Sequence, residues 1–198
     1  MLLSLLPGKG RPLSLLFSLQ LLILGLNAQT HYIGTSVDLV ISGTSTLHDW
    51  TMKDVKADCS ATIDLNASGQ VDALTALVFS TPVNALKSEH GSMDNNAYKA
   101  LKSDKNPSIT YTMTTVTLAR TTEGTTLTCK GKLTIAGTTR DEDLVAVCKP
   151  NPDGTLTIIG AKPISMQQYQ IRPPTFMLGT VKTGNDIVLT FNLRLKKA

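Results

Sequence analysis

The sequence predicts an all-β domain of about eight antiparallel strands, arranged as a barrel or a sandwich, with one short helix inserted. Three observations carry this. Apolar residues recur at every second position over long stretches, as in Ile187, Leu189, Phe191, Leu193 and Leu195 against Thr190, Asn192, Arg194 and Lys196. That period of two marks strands with one dry and one wet face. Turn-forming clusters punctuate these runs, at Asn66-Ala67-Ser68-Gly69, Thr122-Glu123-Gly124 and Asn151-Pro152-Asp153-Gly154. One segment, beginning at Ser92, changes to a helical period.

Among the 198 residues, 1–28 read as a signal peptide. Lys9 and Arg11 precede an almost wholly apolar run from Leu13 to Leu26, and Asn27-Ala28 closes it. Charge, apolar stretch and small residue follow the secretory order, with cleavage near Ala28, and the run is short for a membrane span. Secretion to an oxidising compartment follows, with 29–198 as the mature domain. The leader holds 2 of the 19 basic residues and none of the 15 acidic ones, so the mature charge is 17 − 15 = +2. With Lys and Arg scattered and aromatics few, no nucleic-acid partner is expected.

Strands are expected at 36–43, 51–65, 71–80, 108–119, 125–136, 142–149, 155–161 and 186–196. In the second, Val55, Ala57, Cys59, Ala61, Ile63 and Leu65 share a face. In the fourth, Ile109, Tyr111 and Met113 share one parity while Val116 and Leu118 take the other. A bulge near Thr114-Thr115 accounts for the switch. Between the third and fourth strands, Met93, Ala97 and Leu101 are spaced as one helical stripe, with Ser92 as the expected cap and Pro107 beyond the end. From Lys162 to Gly184 the chain is irregular yet rich in apolar residues, so it either caps a cavity or crosses the sheet.

Cys129 and Cys148 lie on what reads as a hairpin. With its turn on Thr138-Thr139, Cys129 opposes Cys148 at disulfide range, and an oxidising compartment favours the bond. A metal site would need more ligands at suitable spacing and a redox pair would need closer cysteines, so no metal is expected. Cys59 is left as a buried free thiol.

His48 and Asp49 could serve as a base and its orienter, but adjacent strand residues point to opposite faces and no nucleophile motif accompanies them. The plainer reading is a strand entry with Trp50 packing at a barrel mouth.

Several stretches together resemble the YceI-like proteins. "GKLTIAGTTRDEDL" is similar to that family's hairpin, "LKSDKNPSITY" to its step from helix to strand, "SGTSTLHDW" to a variant first strand, and "YQIRPPTFMLGTVKTGNDIVLTFNL" to its closing loop and strand. The ordered set covers nearly the whole mature chain. "KSEHGSMDNN" stands where the family commonly has an Arg-Asp pair before the helix, and Asp141-Glu142-Asp143 is more acidic than usual. The resemblance implies an up-and-down, lipocalin-like barrel around an apolar cavity for a long-chain lipid such as a polyisoprenoid, with no catalytic residues.

The residues agree with a hollow barrel. The inward parity holds Gly43, Ala57, Cys59, Ala61, Gly131 and Ala146, all small, and an eight-stranded barrel is just wide enough for one slim ligand. Candidate ligand contacts are His48 and Trp50 at the mouth; Phe79, Tyr111 and Met113 on the wall; Tyr98 on the helix; and Tyr169, Phe176 and Leu178, beside Met177, as a lid. The leading expectation is a lipid carrier or store without a cofactor, beyond a bound lipid or isoprenoid. Its partner is an amphiphile, and two chains could pair as a homodimer. The alternatives are an enzyme acting on such a lipid through His48, and a small outer-membrane barrel. No stable membrane insertion is expected.

Overall fold

In a computed structural model the described residues are 29–54 and 56–198; the segment read as a signal peptide, and Val55, lie outside them. The strands are β1 (Thr30–Ser45), β2 (Trp50–Asp54), β3 (Asp58–Leu65), β4 (Val71–Pro82), β5 (Leu86–Lys87), β6 (Ser108–Thr121), β7 (Gly124–Ile135), β8 (Thr138–Pro150), β9 (Leu156–Ser165), β10 (Thr175–Phe176) and β11 (Val181–Lys197). Helix α1 (Gly91–Ala100) stands between β5 and β6.

Eight of the strands close into an antiparallel barrel in the order β1-β11-β9-β8-β7-β6-β4-β3, with β3 returning to β1. The apolar parity faces inward and the charged parity outward: Leu193 and Leu195 are buried while Asn192, Arg194 and Lys196 are exposed. A membrane barrel would show the reverse. Among the described residues, no helix is long and apolar enough to cross a membrane.

Four departures from the sequence reading have local causes. The expected strand over 51–65 is two strands. The Asp54 carboxylate accepts a 2.8 Å hydrogen bond from the Lys56 amide, a turn that competes with the ladder. β1 therefore has two partners on one side, Thr30–Ile33 against β3 and Val40–Gly43 against β2. β1 and β11 also extend well past 36–43 and 186–196, through Ser-, Gly- and Thr-rich flanks with weak alternation.

The hairpin of β7 and β8 turns on Ala136-Gly137, with φ of 51° and 81°, not on Thr138-Thr139. Positive φ at both central residues is the geometry that matches strand twist in a two-residue loop. Cys129 consequently faces Leu144, and Cys148 faces Thr125. The offset between the two cysteines is four residues, about 13 Å along the strand. No disulfide forms: Cys59, Cys129 and Cys148 are all free and buried. The bulge on β6 falls where the parity breaks, between Met113 and Thr115.

Helix α1 begins at Gly91, with His90 in the N-cap position and no side-chain cap bond, so Ser92 is not the cap. The entry is held instead by Asp94, 7% exposed, which accepts from the Ser88 amide and hydroxyl at 2.7 Å each.

The core fills one end of the barrel. Tyr32, Ile63, Val71, Cys148, Leu156 and Leu195 are at most 1% exposed and plug the end opposite α1. A second, smaller cluster of Leu39, Ile41, Met52 and Leu86 packs beneath α1.

Candidate functional site

Between the plug and the helix lies a cavity of about 460 Å³. That is inside the roughly 300–1,000 Å³ typical of small-molecule sites. Its deep wall is Cys59, Leu127, Cys129, Ile158 and Leu193, and none of the plug residues takes part. The upper wall is Leu39, Ile41, Ile187, Leu189 and Phe191, with Met93, Ala97 and Leu101 from α1. The helical stripe read in the sequence thus faces the cavity. At the opening stand Ser45, His48, His90, Ser92 and Thr183 beside Leu47, Pro174 and Phe176. The lumen is hydrocarbon and the rim is polar.

Why the wall takes this shape follows from paired small and large residues. The Trp50 ring lies over Gly43, its partner across β1 and β2, where a Cβ would sit 2.3 Å from the ring. Tyr111 covers Gly131 and Phe191 covers Gly160 in the same way. Gly43 and Gly131, expected to leave empty space, therefore hold aromatic rings instead. The void comes from what remains, chiefly the small Ala146 and Cys129 and the reach of the barrel above the plug.

Five of the sequence-predicted contacts, His48, Trp50, Phe79, Tyr111 and Phe176, line this cavity. Trp50 is anchored by its Nε1–H to the Thr44 carbonyl at 3.0 Å, and Tyr111 by its hydroxyl to the buried Cys129 carbonyl at 3.2 Å. With those polar atoms engaged, both rings present apolar faces.

The other four stand elsewhere. Tyr98 leans away from the lumen: its hydroxyl donates to the carbonyls of Leu86 (2.8 Å) and Asn84 (3.1 Å), and Lys87 sits 5.2 Å from its ring centre. Met113 adjoins the bulge and packs against the core. Tyr169 is fully buried, its hydroxyl given to Glu142 at 2.9 Å. Leu178 has φ of 57° and projects wholly into solvent, so it closes nothing. The Met177 side chain lies outside the described residues. The loop still covers the lumen, through Met166, Ile171, Pro174 and Phe176.

Charge is almost absent from the wall. Burial pushes the Cys59 thiol up to about 12 and that of Cys129 to about 11, so both are neutral apolar surface at physiological pH. His48 is exposed, and its Nδ1 lies 2.6 Å from the Asp49 backbone carbonyl. Among the described residues no group of three His, Cys, Asp or Glu could hold a metal ion. Sequence reasoning missed Lys162, the one Lys, Arg, Asp or Glu on the cavity wall among the described residues. It continues the inward parity of Ile158 and Ile164, but was read as the start of an irregular stretch.

A closed antiparallel barrel with an apolar lumen, plugged at one end and roofed by a helix at the other, is a lipocalin-like barrel. The YceI-like domain family matches residues 28–195, and the chain belongs to that family. Three solved structures share the fold. A polyisoprenoid binding domain from Saccharophagus degradans, implicated in plant cell wall breakdown, is 9% identical, with a TM-score of 0.64 over 86% of this chain and 99% of that one. BcnA of Burkholderia cenocepacia is 12% identical, with a TM-score of 0.63 over 80% and 95%. The Campylobacter jejuni YceI protein is 22% identical, with a TM-score of 0.54 over 73% and 85%. At these identities the likeness is one of fold. Among proteins with curated descriptions none matches the chain.

Proposed function

We propose that this chain is a periplasmic binding protein that carries or stores an isoprenoid or other long-chain amphiphile in its barrel, without transforming it. The observation that carries the reading is the apolar cavity of about 460 Å³ beneath a polar rim. An empty apolar hole of that size destabilises a fold, and a hydrocarbon chain is what fills one. Each buried CH₂ contributes about 0.8 kcal/mol, so a ten-carbon stretch offsets most of the cost of ordering the ligand. The Saccharophagus domain, described as polyisoprenoid binding, offers a precedent on the same fold.

Purified protein extracted with organic solvent and analysed by mass spectrometry tests this. A bound amphiphile is expected in stoichiometric yield. Repeated extraction without any lipid, together with no binding of added prenyl chains, would refute it. Fractionation and N-terminal sequencing test the compartment and the cut near Ala28. Sedimentation tests pairing of two chains.

The reading as an enzyme through His48 has one supporting observation, that the imidazole lines the opening. Its nearest partner is a backbone carbonyl and not a carboxylate, which favours binding over acid–base chemistry. His48→Ala is expected to leave function intact; loss of function in a folded variant would revive the enzyme.

A further inference from the structure

Lys162 is a charged side chain in a greasy wall. It faces Leu189 on β11, which in turn faces Ile41 on β1, and it stands three residues before Ser165, the end of β9. That places it about 10 Å along β9 from the end of the strand, above the deep floor of Ile158 and Leu193. Its ammonium lies 2.6 Å from Glu142 Oε2 and donates to the Asp143 carbonyl at 3.0 Å. The side chains of the pair are 19% and 12% exposed. The second Glu142 oxygen accepts from the Tyr169 hydroxyl at 2.9 Å, and Tyr169 is itself fully buried.

The carboxylate is thus held from two sides and holds the lysine in turn. An ammonium has three N–H groups, and beyond Glu142 and Asp143 no other acceptor for it exists among the described residues. Burying such a pair costs desolvation that apolar residues of the same volume would avoid. A lumen serving hydrocarbon alone gains nothing from it.

We infer that Lys162, positioned by Glu142 and Tyr169, is a hydrogen-bond donor to a neutral oxygen of the bound lipid, a carbonyl or hydroxyl seated below the rim. The neutral character follows from charge balance. Glu142 cancels the lysine at contact distance, so an anionic head gains little net attraction and competes with a carboxylate already in place. A carbonyl needs only the free N–H. The inference rests on the lipid-binding reading and specifies the chemistry of the ligand within it.

The test uses delipidated mature protein and three probes: farnesylacetone, the hydrocarbon with the same skeleton lacking the oxygen, and farnesyl monophosphate. Wild type is expected to prefer the ketone over the hydrocarbon by about tenfold or more, as for a hydrogen bond from a charged donor. It should bind the phosphate no more tightly than the ketone. The double variant Lys162→Met with Glu142→Gln removes both charges at similar volume, leaving no uncompensated ion. It should keep its hydrocarbon affinity and lose the preference. The carbonyl stretch of bound ketone should lie below its value in hydrocarbon solvent for wild type alone, a readout that stands even if the variant folds poorly. An unshifted stretch, equal affinity of wild type for ketone and hydrocarbon, tighter phosphate binding, or a preference retained in the variant would each overturn the assignment while leaving the carrier reading in place. Failure of all three probes to bind would remove both.

Discussion

Filling the lumen from within should separate binding from folding. Ala146 sits on the cavity wall, paired with Leu127 on one side and Gly160 on the other, and is 7% exposed. Ala146→Phe adds about 100 Å³ of side chain to a void that costs about 24 cal/mol per Å³, a gain near 2 kcal/mol for the empty protein, less about 1 kcal/mol of packing strain. The apo melting temperature should therefore hold or rise by a few degrees. For the ligand the same ring displaces roughly four CH₂ groups, about 3 kcal/mol, or close to a hundredfold in affinity. The control is Val145→Phe, the neighbouring position on the outer face, 52% exposed, where the same ring meets water. The assay is titration of delipidated protein with a fluorescent polyene chain, with thermal melts of the same samples. If Ala146→Phe binds within about threefold of wild type, less than 1 kcal/mol, the chain does not occupy this lumen.

Other consequences are as direct. On unfolding without reductant the chain should yield three reactive thiols and the mass of the reduced protein; a mass two daltons lower would restore the disulfide. In the native state burial raises all three thiols, Cys148 to about 12, so a polar thiol reagent should leave them intact near neutral pH. Ala136→Gly relieves a left-handed alanine in the hairpin turn and should stabilise by about 1 kcal/mol, read as a higher melting temperature; no change would show the turn unstrained. Gly160→Ala should destabilise by about 1–3 kcal/mol through overpacking. Its Cβ would meet Phe191 at 2.4 Å and the Val145 carbonyl at 2.7 Å. Asp153 is held down to about 2, first by the Thr155 hydroxyl, then by the Thr155 amide and Arg194. Its folded value lies below its unfolded one, so its stabilisation is present above pH 4 and is lost as pH falls toward 2. A carboxyl NMR titration of Thr155→Val should find the midpoint moved up toward the ordinary aspartate value.

Parity was legible in the sequence and register was not, and the cysteines show the difference. Moving the turn from Thr138-Thr139 to Ala136-Gly137 shifts the pairing of β7 with β8 by four residues. An even shift keeps every side chain on its own face, so the inward set and the barrel stand while the disulfide does not. The turn was hidden because Ala136 takes a backbone conformation that alanine disfavours and the neighbouring threonines read equally well as a loop. The same division runs through the site. Tyr111 follows from alternation, with Ile109 on the same face. Tyr98, Tyr169 and Leu178 lie in helix or loop, where direction depends on hydrogen bonds to Leu86 and Glu142 or on a positive φ that the sequence does not display. Lys162 went unread because a charge at an inward position is accounted for only by its partner, Glu142, on another strand.

The divided edge of β1 gives the tube a seam. Along 34–39 that strand is stitched to β11 alone, because its pairing with β3 ends at Ile33 and its pairing with β2 begins at Val40. A cuff with one open stitch can change girth along a single line without loosening elsewhere. Amides on that line should exchange first, and cargo thicker than the resting bore would be accommodated by a gape there while the plugged base stays shut.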